Sequence, residues 1–278
     1  MHKIFFICHI QCYLFENLYF RYIYLKLMLN RILKLLFLQK SSTMKLRLII
    51  ISSCLLILIT SCGKKTIGGN GRVISQHRDI KGFKSVSVKG AYDVYLKKGS
   101  TESVIIEADS NLMSVIKTEV TDSALDIYNI KTIIRSKELR LIITCPNLNS
   151  IDFSGATELS CDSGLVFKDL IINISGAGRI DMNMELNDLS AIVSGGADLN
   201  FSGKANSLDV SITGAGNLNA HKFVTQKCKI DISGFGRAKV NVVQKLDVNI
   251  SGAGKVDYIG NPEVKQSISG AGKIHRIN

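Results

Sequence analysis

Seven copies of one short Gly-rich phrase are the first candidates for chemistry in this sequence. Each copy has a Ser or Thr followed by Gly and then mostly by small residues, and the copies begin at Ser154, Ser175, Ser194, Thr213, Ser233, Ser251 and Ser269. Gly-rich loops cradle phosphate groups when they open a helix and carry a Lys next to a Ser or Thr. Residues that alternate between apolar and polar follow each phrase instead, which is typical of strands. The phrase therefore does not predict a nucleotide site.

The other reactive side chains do not converge on a catalytic or metal site. His2 and His9 lie near the start of the chain, whereas His77, His221 and His275 are far apart in sequence. The Asp residues around the phrase fall at different offsets from its Ser, so they do not form a ladder of cation ligands. Glycan cleavage needs two carboxylates gathered at one bond, and here the outward carboxylates are spread along the chain. We therefore predict no catalytic residue, metal or cofactor, and keep a polysaccharide-acting enzyme as the least favoured hypothesis.

One cysteine has a setting that predicts covalent chemistry. From Met44 the chain runs MKLRLIIISSCLLILITSC, with two cations, an apolar run over residues 48–59 and small residues before Cys62. This order is typical of a secretory signal peptide, because the apolar run is too short to span a bilayer. The ending ITSC resembles a bacterial lipobox, in which the cysteine thiol carries the lipid. We predict a lipoprotein signal peptide over residues 44–61 and lipidation of Cys62; the alternative is a short buried helix.

The segments on either side of this signal have their own interpretations. Residues 1–43 are apolar but interrupted by charges, which indicates an upstream extension from a misassigned start codon, with an N-terminal membrane anchor as the alternative. Residues 1–61 hold eight of the 35 Lys and Arg and one of the 23 Asp and Glu, so the net charge falls from +12 to +5 without them. The remaining cations are scattered, and no nucleic-acid binding is predicted. Residues 62–80, which include GKKTIGGNGR, predict a lipidated Cys followed by a flexible tether.

The spacing of the phrase predicts the elements that position it. Successive copies are 18 to 21 residues apart, and a period near twenty is typical of a solenoid. Taking the Ser or Thr as position zero, positions −3, −1, +5 and +7 are almost all apolar, with polar residues between them. Such alternation predicts a strand before and a strand after each phrase, each with one buried face. Stacked coils would pair these strands in parallel, about 4.8 Å apart. The predicted fold is an all-β, right-handed parallel β-helix over residues 81–278.

The phrase itself predicts a corner between the two strands. Position +1 is Gly in every copy, which indicates either a positive φ or an approach to the next coil too close for a Cβ. The predicted structural corners are Gly155, Gly176, Gly195, Gly214, Gly234, Gly252 and Gly270. The hydroxyl at position zero can bond the neighbouring backbone at the bend.

An earlier, worn copy, VSVKGAYDVYL, places Lys89 at position zero and Gly90 at +1. The residues between it and Ser154 have room for roughly three coils, with candidate strands over 104–108, 115–120, 124–130 and 139–145, so that eight to ten coils would make a rod of roughly 40 to 50 Å. Cys145, Cys161 and Cys228 are interpreted as small core residues, with one disulfide as the alternative. For contacts on the outside, the candidates are Tyr92, Tyr95 and Phe235, because exposed aromatic rings stack on sugars.

A family resemblance follows from these motifs. With the lipobox, GFKSVSVKGAYDVYLKKG at residues 82–99, the run of SGAG corners and the YxGNP phrase at Tyr258 to Pro262, the chain resembles the head GIN domain family, named after autotransporter-adhesin heads. The resemblance covers about residues 80–278. It implies a β-helical cell-envelope protein of Bacteroidetes-like bacteria and supplies no catalytic residue. Surface-exported lipoproteins of such bacteria often carry acidic residues after the lipidated Cys, and Lys64 and Lys65 depart from that pattern.

The favoured hypothesis is a non-catalytic outer-membrane lipoprotein that acts in adhesion or ligand binding. It is held to the membrane by its N-terminal lipid, on the periplasmic or the outer side, and binds a glycan or a protein. The alternative is a periplasmic structural or assembly protein that docks through its open last coil, where Ile268 and Ile274 would lie on an unpaired edge. End-to-end homo-oligomers would also cover that edge.

Overall fold

The alternation of apolar and polar residues becomes β structure along nearly the whole described chain. The computed structural model describes residues 65–162 and 164–277, whose regular secondary structure consists of strands alone. The strands are β1 (Thr66–Gly68), β2 (Val73–Arg78), β3 (Ser85–Gly90), β4 (Asp93–Lys98), β5 (Ser103–Asp109), β6 (Ile116–Thr121), β7 (Ala124–Asn129), β8 (Thr132–Arg135), β9 (Leu139–Cys145), β10 (Ser150–Cys161), β11 (Leu165–Val166), β12 (Asp169–Ile174), β13 (Ala177–Val193), β14 (Gly196–Ile212), β15 (Asn217–Ile232), β16 (Arg237–Ile250), β17 (Lys255–Ile259), β18 (Glu263–Ile268) and β19 (Lys273–Arg276).

Strands β10 to β19 form the regular coils of a parallel solenoid. Each coil pairs with the next so that equivalent residues are neighbours; Val210, for example, lies between Ala191 and Ile230. These residues are buried, and the strands up to β17 add inward side chains to one continuous apolar core, whereas β18 is exposed along its length. The all-β class and the stacked parallel coils predicted from the repeat are confirmed. The solenoid has about seven turns rather than eight to ten, which corresponds to about 34 Å at the usual coil spacing.

The corner glycines are required by close approach between coils. A Cβ added to Gly195 would overlap the carbonyl oxygen of Gly176, and the same overlap recurs at each corner from Gly155 to Gly270. That carbonyl is held there by the backbone ladder: the Gly176 oxygen accepts a hydrogen bond from the N–H of Gly196 at 3.1 Å. Among these corners only Gly155 has a positive φ, of 146°. Close approach to the preceding coil therefore explains why position +1 is Gly at every corner, and a positive φ is a second reason at Gly155 alone.

The hydroxyls at position zero bond the coil before them. Ser175 Oγ donates to the Phe153 carbonyl oxygen at 3.3 Å, and Ser194 and Thr213 do the same to Ile174 and Val193. These bonds supplement the backbone ladder where the strand bends. The predicted role of the hydroxyl is thus confirmed at these three corners.

The N-terminal part of the fold departs from this order. We call β1, β2 and β5 to β9 the N-terminal cap. The first coil, β3 and β4, lies between two sets of strands: β10 on one side, and β7 and β9 on the other. Beyond β7 and β9, strands β6, β5 and β2 pair antiparallel. The four candidate strands are confirmed, but the expected run of three further coils is wrong, because only β7 and β9 continue the parallel stack, whereas β5 and β6 pair antiparallel beyond them.

The expected flexible tether over residues 62–80 also needs correction. Residues 66–68 form β1, which pairs with β8, and residues 73–78 form β2, which pairs with β5. The backbone of β5 has one free edge beside β9, and β2 occupies it with a full antiparallel ladder. An unpaired strand edge leaves backbone N–H and C=O groups without hydrogen-bond partners. The segment after Lys65 supplies those partners to β5 by forming β2. The part of residues 62–80 that the structure describes is therefore mainly strand.

A buried carboxylate fastens these first strands to the cap. Asp109, at the end of β5, has no exposed surface and accepts hydrogen bonds from the N–H groups of Gly71 and Lys137, the latter at 2.7 Å. These backbone donors, with the Lys137 N–H contributing most, hold the Asp109 pKa below its usual value. Asp109 thus joins the loop before β2 to the loop after β8.

Candidate functional site

The predicted lipidation site, Cys62, lies outside the described residues. The three predicted contact residues, Tyr92, Tyr95 and Phe235, lie in three different settings. Tyr92 is 2% exposed, so its expected exposure is wrong. It shares the inward phase of Val94 and Leu96, and its hydroxyl donates a hydrogen bond to Asn129 Oδ1. Burial raises its pKa well above the usual value. Tyr92 closes the inner side of the corner in the first coil.

Tyr95 lies on the outer face but is held by neighbours. Its hydroxyl donates to Asp162 Oδ1 at 2.7 Å, and Lys97 Nζ lies 5.4 Å from the centre of its ring. The bond to Asp162 raises the pKa of Tyr95, because it favours the protonated phenol. This ring is half-buried and already occupied, so it offers little surface to a ligand.

Phe235 is the exposed aromatic residue that stands out among the three. It is 76% exposed and occupies position +2 of its corner. In the other coils this position holds only small residues, namely Ala91, Ala156, Ala177, Gly196, Ala215, Ala253 and Ala271. A flat flank of small side chains therefore carries one large apolar ring.

The outward residues at position +4 form a column of charges beside this flank. In order of stacking the column runs Arg140, Asp93, Glu158, Arg179, Asp198, Asn217, Arg237, Lys255 and Lys273. Along the first five members positive and negative residues alternate or meet in twos. The last three are all cations, although like charges on neighbouring strands destabilise a sheet.

A shallow groove of about 460 Å³ lies between Phe235 and these three cations. Lys255 Nζ is paired with Asp257 Oδ2 at 2.7 Å, and Asp257 also faces His275 at 3.6 Å. Arg237 and Lys273 are exposed, and neither forms an ion pair within the described part of the chain. We call Phe235, Arg237, Lys255 and Lys273 the C-terminal basic face. Its geometry suits an anion that also presents an apolar surface.

The sequence contained a signal for this face, because every member sits at a fixed offset from its corner. The inward columns at −3, −1, +5 and +7 predict the coils, and the outward column at +4 carries the signal for the face. This column brings Arg237, Lys255 and Lys273 together beside Phe235. The other two predicted aromatic contacts lie in the first coil, away from this face.

Two acidic residues are neighbours nearer the N-terminal end of the same column. Asp93 and Glu158 are register neighbours, but Arg140 and Arg179 flank them on the adjoining strands. The two carboxylates therefore lie between cations on the stack, although Arg140 forms its ion pairs with Glu107 and Glu138. In residues 65–162 and 164–277 no group of three or more His, Cys, Asp and Glu side chains is arranged to hold a metal ion.

The three cysteines of the described residues are free thiols. Cys145 and Cys228 are buried in the core, as expected for small core residues, and Cys161 is half-buried. Burial raises the pKa of Cys145 to about 11 and that of Cys228 further. Buried neutral thiols of this kind are poor nucleophiles.

Comparison with known proteins places this geometry in a family. A family model described as "Putative auto-transporter adhesin, head GIN domain" matches residues 82–262. No curated protein matches the chain. Within the described residues, no helix is long and apolar enough to cross a membrane.

Several solved structures share the fold. One, a putative adhesin from Bacteroides fragilis, has a TM-score of 0.72 and 23% identity, covering 76% of this chain and 100% of its own. A putative lipid binding protein from Parabacteroides distasonis has a TM-score of 0.61 and 22% identity, covering 77% and 100%. A putative adhesin from Parabacteroides merdae has a TM-score of 0.58 and 18% identity, again covering 77% and 100%. Because the family model spans most of the chain, this protein belongs to the head GIN domain family of auto-transporter adhesin heads.

Proposed function

We propose that this protein is a lipid-anchored, non-catalytic adhesion module that binds an anionic glycan on its C-terminal basic face. The observation that carries the proposal is the stack of Arg237, Lys255 and Lys273 beside the exposed ring of Phe235. Family membership supports a role in adhesion. The solved relatives from Bacteroides fragilis and Parabacteroides merdae are named as adhesins, which supports the same role, whereas the relative from Parabacteroides distasonis is named for lipid binding.

The cationic side chains of Arg237, Lys255 and Lys273 repel one another. The three cations stand on neighbouring strands about 4.8 Å apart, and their like charges raise the free energy of the unliganded face even though Lys255 is paired with Asp257. A polymer with carboxylate or phosphate groups along its length would offset that repulsion at Arg237 and Lys273, which have no acidic partner in the described chain. The Phe235 ring gives a sugar an apolar surface on which its C–H face can stack. Charge supplies attraction, and the ring supplies orientation.

The proposal includes a lipid on Cys62 and a location at the outer membrane. The signal-like sequence from Met44 to Cys62 supports both. Metabolic labelling with a clickable fatty acid tests the lipid: wild-type protein should be labelled, and Cys62→Ala should not. Protease shaving of intact cells, with a periplasmic protein as lysis control, tests the side: digestion supports adhesion, whereas protection until permeabilisation contradicts it.

The glycan test uses the lipid-free chain from Gly63 and two polymers. Polygalacturonate carries a carboxylate on each sugar, and dextran carries none. By calorimetry we expect binding to polygalacturonate that weakens as salt rises, and no binding to dextran. Phe235→Ala and the double change Arg237→Gln with Lys273→Gln should each weaken binding about tenfold.

The matched control is Arg179→Gln, because Arg179 lies in the same column between two acidic residues. It should leave binding unchanged. Equal affinity for dextran and polygalacturonate, or equal weakening in the control, would contradict a specific basic face. Circular dichroism would verify that each variant keeps its strands.

A second candidate function is docking through the open end of the solenoid. Strand β18 pairs only with β16, and β19 only with β17, within the described chain. Val264 and Ile268 are 36% and 40% exposed on this last coil. Analytical ultracentrifugation tests this candidate: a dimer that Ile268→Lys dissociates would support end-to-end assembly, and a monomer at high concentration would contradict it.

A further inference from the structure

A second charged surface lies at the opposite end of the fold, in the cap. Residues 130–137, with the sequence IKTIIRSK, include β8; we call them the β8 segment. Two apolar side chains point outward from it, Ile130 at 53% exposed and Ile134 at 65%. The segment also contains Lys131, Arg135 and Lys137 and no acidic residue. None of these cations forms an ion pair with a residue that the structure describes.

The backbone holds this segment in place from several directions. β8 pairs in parallel with β1, and the Thr132 N–H donates to the Lys65 carbonyl oxygen at 3.0 Å. The Gly69 N–H donates to the Arg135 carbonyl oxygen at 2.8 Å, and Asp109 accepts from the Lys137 N–H. Ile133, between the two exposed isoleucines, packs against the core. The outward side chains therefore stand on a fixed platform.

A groove separates the β8 segment from the corner of the first coil. It has a volume of about 890 Å³, and Lys89, Lys131 and Arg135 are among its lining residues. Lys89 is paired with Asp126 at 3.4 Å, whereas Lys131 and Arg135 remain available in the described chain. The cations thus border a space large enough for a lipid headgroup, with Ile134 at its edge.

The length of the connecting chain limits how far this platform can lie from a lipid on Cys62. β1 begins at Thr66, four residues after Cys62. Even a fully extended chain of four residues spans only about 14 Å. Since Thr66 pairs with Thr132, a lipid on Cys62 would bring the β8 segment to the bilayer surface.

We propose that the β8 segment is a membrane-docking surface, in which Ile130 and Ile134 enter the headgroup region and Lys131, Arg135 and Lys137 contact anionic phospholipids. Exposed aliphatic side chains next to unpaired cations are the chemistry of interfacial membrane binding. The short connection to Cys62 favours a bilayer over a protein partner. The location rests on the proposed lipid anchor, but the affinity of the surface for lipid does not.

Vesicle co-sedimentation of the lipid-free chain from Gly63 tests the surface without the anchor. All described residues belong to one compact unit with its own core, so this chain retains the platform. We expect binding to vesicles of phosphatidylcholine and phosphatidylglycerol in equal parts, and much weaker binding to phosphatidylcholine alone. Lys131→Gln with Arg135→Gln should weaken binding about thirtyfold, since each cation near an anionic surface contributes about 1 kcal/mol. Ile130→Ser with Ile134→Ser should weaken it about tenfold.

Matched controls are available elsewhere on the coils. Ile171 and Ile192 are 45% and 44% exposed, so Ile171→Ser with Ile192→Ser removes similar apolar surface. Lys222→Gln with Lys227→Gln removes two exposed cations. Neither control should change vesicle binding.

Vesicle binding that the β8 variants and the controls weaken equally would overturn the proposal, as would the absence of binding to anionic vesicles. Capture of a protein in place of lipid by this surface would also overturn it. Failure of the polygalacturonate test would leave this result untouched, because the basic face and the β8 segment share no residue. Failure of fatty-acid labelling at Cys62 would remove the anchor but not the measured lipid affinity.

Discussion

The regular coils and the N-terminal cap both satisfy the backbone groups of their strands, but they pair those strands differently. In the coils every strand contacts the equivalent strand one repeat later, in parallel. In the cap, β7 and β9 pair in parallel with the first coil, and β6, β5 and β2 pair antiparallel beyond them. A parallel stack has two open ends, and open edges invite unwanted pairing. Antiparallel strands cover the first coil at one end, whereas no strand lies beyond β18 and β19 at the other end of the described chain.

The largest expected effect concerns the close approach of the corner glycines in successive coils. Gly195→Ala would drive a Cβ into the Gly176 carbonyl oxygen, which belongs to the backbone and cannot move without breaking the ladder. We expect a loss of about 3 kcal/mol or more in the free energy of unfolding, measured by urea denaturation.

The adjacent Gly196 provides the control. A Cβ there would meet only the Ala215 carbonyl oxygen at 3.9 Å, and Gly196 has no positive φ. Gly196→Ala should therefore change the free energy of unfolding by less than about 1 kcal/mol. Similar losses in both variants would show that helical or strand propensity, and not close approach, governs the corner.

The second prediction compares how the two regions open. Cys228 lies two coils from the open end, since it is in register with Leu246, which is in register with Val264 of the last coil. Cys145 lies in β9, which pairs with β4 and β5. Stacked repeats open from a free end because each contacts only its neighbours. In a Cys161→Ser background, Cys228 should react with iodoacetamide about tenfold faster than Cys145, followed by mass spectrometry of tryptic peptides. Equal rates would indicate that the cap and coils open as one unit.

The third prediction concerns the tyrosine that closes the first corner. Tyr92→Phe removes the hydrogen bond to Asn129 and should lower the free energy of unfolding by about 1 kcal/mol. Tyr95→Phe, on the outer face, should cost less than about half as much. Because burial raises the folded-state pKa of Tyr92, the unfolded chain ionises first and the wild type loses stability as pH rises above about 10. Denaturation at alkaline pH should show less of this loss in Tyr92→Phe.

The smallest expected effect is local to the cap. The pKa of Asp109 is lowered in the folded state, so its contribution to stability is present above the unfolded value, near pH 4, and is lost as pH falls through the lower folded value. Acidification should first increase hydrogen exchange at residues 69–71 and 135–138, while β13 to β15 remain protected. Asp109→Asn should show the same local exchange at neutral pH. Uniform loss of protection along the chain would contradict a local clip.

The coils could be predicted from the sequence because their long-range partners repeat the same local pattern. Val210, Ile230 and Val248 are neighbours in space and hold the same offset in sequence, so one periodicity predicts both strand and partner. Four of the seven strands of the cap, β5, β6, β7 and β9, could be predicted in the same way. Their pairing could not, because nothing local to β5 indicates that it runs antiparallel to β9.

The candidate sites were partly accessible for the same reason. The outward exposure of Phe235 follows from its place in a corner. The prediction of an exposed Tyr92 was wrong because it disregarded the alternation of this residue with the inward Val94 and Leu96. The β8 segment could not be identified from sequence, since its importance comes from pairing with β1, which the sequence predicted to be unstructured. Composition favoured a tether there, and tertiary pairing overrode it.

The glycine ladder also makes the reach of the protein adjustable in discrete steps. Since each corner touches only the corner before it, duplication of one repeat of 18 to 21 residues would insert a coil without disturbing either terminus. Each duplication would move the C-terminal basic face about 4.8 Å farther from the β8 segment. Relatives with different numbers of repeats would then hold these two surfaces at different distances, which differ in steps of one coil.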